Sequence, residues 1–346
     1  SRIREVKNSS LFSRIQGVLK MQQVFYDFSA FDLLKDKKPL LVCDKAFDSF
    51  GIRFPCEVVK FDGFTSNPVY EDILAGTKIL NENKCDFIVA VGGGSSIDTA
   101  KAIKFYHGLY GDMPIMAIPT TSGTGSEATH FAAIYEKGEK RSLADEGLLP
   151  DYVVLNAKLL KTLPLYQKKC TMLDALCQAI ESWWSKKVTD ESIGYSKEAI
   201  KLILDNMDSY LKNEEKGSEK MLWASHLAGK AINITTTTAP HAMSYKLTSM
   251  YGIPHGHAVA ICLPKVWKQM NNFEDISIAL GQENHKQAIS FFEDLLKKLE
   301  IHPPENVKVQ DLDVLVSSVN IERLGNNPME FCAETIRDLY KEILEV

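Results

Sequence analysis

The apolar run Asp86-Phe-Ile-Val-Ala-Val91 passes without interruption into Gly92-Gly93-Gly94, and then into Ser95-Ser-Ile-Asp98-Thr-Ala-Lys-Ala-Ile103. A short continuous apolar run bounded by turn residues reads as a strand buried on both faces. The segment after it has helical spacing. A strand, a glycine turn and a helix in direct succession form half of a βαβ unit, which builds a parallel sheet covered by helices. Other segments fit the same plan. Pro39–Cys43, Cys56–Phe61, Pro114–Pro119 and Pro150–Leu155 are short apolar strands, and 70–82 reads as a helix. Asp62–Pro68 is a loop by its turn residues. The expectation is an N-terminal α/β domain with a mostly parallel sheet.

From about Pro164 the pattern changes. Segments 170–186, 190–212, 216–234, 239–251, 255–270, 286–299 and 327–344 carry apolar residues at three- and four-residue spacing, and strand-like runs nearly vanish. We place a domain boundary there, giving residues 1–164 as the α/β domain and 165–346 as an all-helical domain. A net charge of −5 without a basic run gives no basis for a nucleic-acid partner. No apolar stretch approaches a membrane span. The start, Ser1-Arg-Ile-Arg-Glu-Val-Lys7, lacks the apolar core of a signal peptide. Seven cysteines without a C-x-x-C pair fit reduced thiols, and the expected location is cytoplasmic.

The glycine turn carries chemistry as well as shape. Gly93, Gly94 and Ser95 let the backbone approach an anion at a helix N-terminus, which suits a pyrophosphate. The spacing is neither G-x-G-x-x-G nor a P-loop, and taken alone it fits a tight βα turn equally well. Pro119-Thr120-Thr121-Ser-Gly-Thr124-Gly-Ser-Glu127 follows the next strand. Two polar loops at the carboxyl ends of neighbouring strands form the kind of rim where open α/β sheets bind ligands. Asp44, at the end of an earlier strand, suits an adenosine ribose and would repel a 2′-phosphate; a turn or N-cap Asp is the plainer alternative. Lys140 reads as a solvent-facing lysine or a complement to cofactor charge.

In the helical half, Asp174 and Gln178 lie one turn apart on an otherwise apolar helix, Leu173–Glu181. A carboxylate aimed into an apolar bundle is costly unless paired or metal-bound. Residues 241–257 hold three of the eight histidines. His241 and Tyr245 share a helix face; Gly252 and Pro254 break that helix; His255 opens the next and can point back at His241. Asp174, His241 and His255 combine one hard oxygen with two imidazoles, a set that suits Fe2+ or Zn2+, with Gln178 as a weaker oxygen donor. Two ordinary histidines at a helix corner are the alternative.

Together, Gly92–Lys101 with Asp98, Pro119–Glu127, Asp174–Glu181 and His241 through Gly256 resemble the iron-dependent alcohol dehydrogenase family. The order and spacing match over about residues 38–265. The resemblance implies an N-terminal dinucleotide-binding domain and a helical metal- and substrate-binding domain, the dehydroquinate synthase-like architecture, with the active site in a cleft between them. It implies NAD(H), one divalent metal held by Asp174, His241 and His255, and a small aldehyde or alcohol as substrate. A homodimer is compatible with it. The family's usual fourth ligand, a histidine, aligns with Gln178, and its common proton-transfer histidine aligns with Tyr245; His257 is a substitute for the latter. Local similarity around Asp174–Ser182 and Thr238–Tyr245 is to phosphonoacetaldehyde reductases. The rival expectations are a generic dehydrogenase for short primary alcohols, a non-redox sugar-phosphate cyclase, and a metal-free nucleotide-binding or sensory protein.

Overall fold

The structure is a computed structural model that describes residues 22–108, 113–270 and 273–346. The N-terminal segment read above for a signal lies outside them. The chain forms two compact units. Among the described residues, one comprises those up to Pro119 together with His130–Asn156; the other comprises Thr120–Thr129 together with those from Ala157 onward.

In the first unit the strands are β1 (Gln23–Phe25), β2 (Pro39–Cys43), β3 (Val59–Phe61), β4 (Phe87–Gly92), β5 (Ile115–Pro119), β6 (Phe131–Glu136), β7 (Glu139–Ala144) and β8 (Tyr152–Val154). The helices are α1 (Tyr70–Glu82) and α2 (Gly94–His107). Six strands make one parallel sheet in the order β1-β8-β5-β4-β2-β3. On one face Leu40, Val42, Ile88, Ala90, Ile115 and Ala117 alternate along their strands. They join Ile73 and Leu80 of α1 and Ile97, Ala100 and Ile103 of α2 in one buried cluster. Side chains of period two on a fully buried sheet face therefore meet helices of period 3.6.

The expected parallel sheet is present. The strand expected over 56–61 is confined to Val59–Phe61 at the sheet edge. The last strand in the chain, β8, sits inside the sheet between β1 and β5. Strand β1 and the β6–β7 hairpin were not anticipated. Three residues are too few to show a period, and Phe131-Ala-Ala-Ile-Tyr-Glu136 alternates only weakly. The hairpin turns on Lys137 and Gly138, both at positive φ (53° and 81°), as a two-residue type I′ turn requires.

The second unit is helical: α3 (Leu165–Trp184), α4 (Asp190–Leu211), α5 (Glu215–Thr235), α6 (Ala239–Tyr251), α7 (His255–Gln269), α8 (Glu274–Ala279), α9 (His285–Lys298), α10 (Asp311–Ser317), α11 (Ile321–Gly325) and α12 (Ala333–Leu344). Helix α6 ends at Gly252 in the left-handed region, and Pro254 precedes α7. No helix of the described residues is long and apolar enough to cross a membrane.

The Thr120–Thr129 loop leaves β5 but packs among these helices. Ser122 Oγ lies 2.8 Å from the Tyr210 hydroxyl, and Glu127 Oε1 lies 3.3 Å from His226 Nδ1, with all four residues buried. Gly125 (φ +60°) and Gly229 of α5 meet backbone to backbone: a Cβ on Gly229 would fall 2.6 Å from the Gly125 carbonyl oxygen. Neither chain segment can retreat easily from such a contact. Gly229→Ala should therefore destabilise the protein by about 1–3 kcal/mol in urea unfolding. Unchanged stability would show that the loop is free to shift.

Candidate metal and cofactor sites

Helix α3 presents Asp174, Gln178 and Glu181 at i, i+4 and i+7, so the three polar side chains share one face. Asp174 is 2% exposed and Glu181 fully buried. Helix α6 brings His241, 3% exposed, with Nε2 3.3 Å from Asp174 Oδ1. The first residue of α7, His255, places Nε2 3.9 Å from the same oxygen. The two imidazole rings are 5.2 Å apart, and one ligand atom from each of the three residues lies within 4.8 Å of the others. The three residues expected to bind a metal are thus brought together.

Gly256 makes this approach feasible. A Cβ there would sit 1.9 Å from the Cys170 carbonyl oxygen and 2.9 Å from Asp174 Cβ. Helix α7 can close onto α3 only without a side chain at that point. Gly256→Ala should push His255 away from Asp174, and the purified variant should lose most of its metal on dialysis against a chelator. Full metal retention would show that His255 is dispensable.

The donor set fits a divalent cation. Gln178 Oε1 is buried without a hydrogen-bond partner, and Asp174 Oδ1 and His241 Nε2 face each other at 3.3 Å without forming one, an arrangement that a bound cation would satisfy. The ion pairs of Asp174 and Glu181 among the described residues are to histidines. Two buried carboxylates are what one divalent ion would neutralise. Gln178 Nε2 donates to the Thr124 carbonyl at 3.3 Å, which leaves its amide oxygen as the remaining donor atom.

Burial opposes ionisation of Asp174, but the neighbouring His255 and His241 outweigh it and hold the carboxyl below its usual range. Burial likewise disfavours a charged His241, yet Glu181 and Asp174 pull it up to about 10. In the metal-free protein that proton stabilises the fold fully below the ordinary value of 6.5, and the contribution is lost as pH rises through about 10. Proton and metal compete for the same nitrogen. Zn2+ affinity should therefore climb as pH rises toward about 10. Uptake in weak buffer should release about one proton per ion. A pH-independent affinity would place the ion elsewhere.

Tyr245 stacks on His255, its ring centroid 5.6 Å away at an interplanar angle of 12°. His257 is not brought to the cluster. Its Nε2 donates to the His302 carbonyl at 2.6 Å and its Nδ1 accepts from the Tyr166 hydroxyl at 2.7 Å. Burial lowers its pKa, so it is a neutral imidazole with both nitrogens occupied. The proton-transfer role considered for His257 is thereby withdrawn: two residues beyond His255 on a helix, it faces a different neighbour. Glu181 was passed over, although the same i+7 spacing that follows from Asp174 and Gln178 could have found it.

In the first unit Asp44 ends the strand paired with β4. Its Oδ1 accepts from Ala46 N at 2.9 Å, the turn role weighed above, and its Oδ2 lies 3.2 Å from where a Cβ of Gly92 would stand. Burial raises its pKa. At φ +149°, Gly92 could carry a Cβ only by colliding with Ser96. Gly93 precedes α2 without a side-chain cap, and Gly94 and Ser95 open the helix; Ser95 Oγ donates to the Ser66 carbonyl. Asp98 accepts from Ala133 N at 2.9 Å and so ties α2 to the hairpin. Lys140 lies in β7, opposite Tyr135 and partly exposed. Thr120, Thr121 and Thr124 belong to the loop packed in the helical unit, Thr120 buried and the other two partly exposed.

The family model for iron-containing alcohol dehydrogenase matches residues 28–157, and that for the C-terminal region of the Fe-containing alcohol dehydrogenase family matches residues 169–344. The chain belongs to the iron-containing alcohol dehydrogenase family. It is 29% identical to the NADPH-dependent butanol dehydrogenase of Clostridium saccharobutylicum over 82% of this chain and 83% of that protein. It is 32% identical to the phosphonoacetaldehyde reductase of Streptomyces viridochromogenes over 60% of this chain and 58% of that one. The crystal structure of sulfoacetaldehyde reductase from Bifidobacterium kashiwanohense in complex with NAD+ superposes with a TM-score of 0.86 at 26% identity, covering 94% of this chain and 97% of that one. Membership makes the chain an oxidoreductase of the alcohol dehydrogenase and aldehyde reductase type.

Proposed function

We propose that this chain is a cytoplasmic, metal-dependent, NAD(H)-linked aldehyde reductase that converts phosphonoacetaldehyde to 2-hydroxyethylphosphonate. The reading of a metal enzyme is carried by the convergence of Asp174 Oδ1, His241 Nε2 and His255 Nε2, together with the buried Gln178 Oε1, which has no hydrogen-bond partner. Asp174, His241 and His255 are the proposed ligands to Fe2+ or Zn2+, with Gln178 Oε1 as the fourth donor. A divalent ion held there supplies Lewis acidity. The functional division is a dinucleotide-binding segment, 1–164, and a metal- and substrate-binding segment, 165–346.

Cofactor binding falls to Gly93, Gly94, Ser95 and Asp98 around the start of α2, with Thr120, Thr121, Thr124 and Lys140 as further contacts. The uncapped N-terminus of α2 suits the pyrophosphate. Asp44, beside Gly92, favours a free ribose hydroxyl over a 2′-phosphate, hence NAD(H) over NADP(H). Tyr245 is the proposed proton donor to the nascent alcohol.

Two relatives of this chain are named for two-carbon aldehydes with an anionic group on the second carbon. An anionic tail needs cationic or N–H donors. Thr235 and Thr238 are already committed to Ser182 and Glu181, and the Lys230 ammonium lies 4.3 Å from the Tyr195 ring centroid. Lys246, next to Tyr245 and partly exposed, is the remaining candidate.

With NADH, catalytic efficiency on phosphonoacetaldehyde should exceed that on butanal by about a hundredfold or more, because an apolar tail leaves the cationic donor for the phosphonate unpaired. Asp44→Ala should narrow the preference for NADH over NADPH. A preference for butanal would replace this substrate with short primary alcohols. Absence of both metal and turnover would favour a nucleotide-binding protein without catalysis.

A further inference from the structure

Glu181 is fully buried on α3, and both of its carboxylate oxygens are engaged by the start of α6. His241 Nδ1 donates to its Oε1 at 2.5 Å. Its Oε2 accepts from Thr238 N at 2.8 Å and from Thr238 Oγ1 at 2.9 Å. Thr238 is the N-cap residue of α6, yet its hydroxyl does not cap that helix. It serves Glu181 instead and accepts from Trp184 Nε1 at 2.8 Å.

The turn that delivers Thr238 is itself constrained. Thr236 has φ +59° and ψ 178°, a backbone conformation that a β-branched residue rarely adopts. Such a residue persists only where its surroundings over-determine it. Here the Asn326 amide, buried behind the turn, supplies that constraint. Its Nδ2 reaches the Thr235 carbonyl (2.7 Å), Thr236 Oγ1 (3.0 Å) and the Thr237 carbonyl (3.1 Å). Ser185 Oγ donates back to Asn326 Oδ1 at 3.0 Å.

We propose that Glu181 is a positioning residue for the metal site, held by the Asn326-clamped turn so that it fixes the orientation of His241. This rests on the metal reading above. With the Nδ1 proton committed to Glu181, the lone pair offered by a neutral His241 is on Nε2, the atom that faces Asp174. Glu181 touches no ligand position itself and acts through His241.

The test is the dissociation constant of Zn2+, measured by competition with a chromophoric chelator on metal-stripped protein. Glu181→Gln keeps the shape and loses the charge; it should bind Zn2+ about ten- to a hundredfold more weakly. Its metal-free form should melt below wild type, because the buried His241 loses its counter-charge, and the visible spectrum of the Co2+-loaded variant should shift. Thr238→Val removes one donor to Glu181 and should weaken Zn2+ several-fold; it decides the matter alone if Glu181→Gln fails to fold. Zn2+ constants within twofold of wild type in the folded variants would overturn the proposal. So would loss of metal-free stability with no change in Zn2+ affinity. A wild-type protein that binds no Zn2+ would instead remove the metal reading, and this proposal with it.

Discussion

Two buried carboxylates on one helix, with histidines as their ion-pair partners, set the terms for the helical unit. Asp174 and Glu181 flank His241 from its two nitrogens. Leaving such charges in an apolar bundle without a counter-charge is unfavourable. The metal-free protein meets the demand with a proton on His241, and a divalent ion would meet it with both charges at once. Much of the surrounding structure serves to hold these three side chains in register.

That register depends on close backbone approaches. Gly256 lets α7 reach α3, and the Gly125–Gly229 contact seats the Thr120–Thr129 loop against α5. The loop in turn orients Gln178, whose amide nitrogen is taken by the Thr124 carbonyl. At the other end of the site Asn326 holds the strained turn before α6. A bundle packed on small residues can place ligand atoms closely because the backbones themselves have little room to move.

In the first unit the constraint is simpler. Strand β4 leaves the sheet through Gly92, where Ser96 would block a Cβ. The start of α2 then emerges uncapped beside Asp44. The chemistry offered there, free N–H groups next to a carboxylate, follows from the same geometry that closes the turn.

The expected α/β and all-helical parts and most of the helices were legible in the sequence because burial periodicity is a local signal, whereas the Asp174, His241 and His255 triad was legible only through the chemistry of its residue types and the family resemblance. The amino-acid order alone carried Asp174 and Gln178 to one helix face and His241 and His255 to either side of the Gly252–Pro254 break. Strand β1, the β6–β7 hairpin and the interior place of β8 were not legible, since short strands acquire identity only from the neighbours they pair with. Nor could spacing show that His257 is locked between Tyr166 and His302, that the Thr120–Thr129 loop packs with the helices, or that Asn326 braces the turn that holds Glu181. Each of these depends on groups 45 or more residues apart. Long-range packing alone decides which hydrogen bonds such groups make.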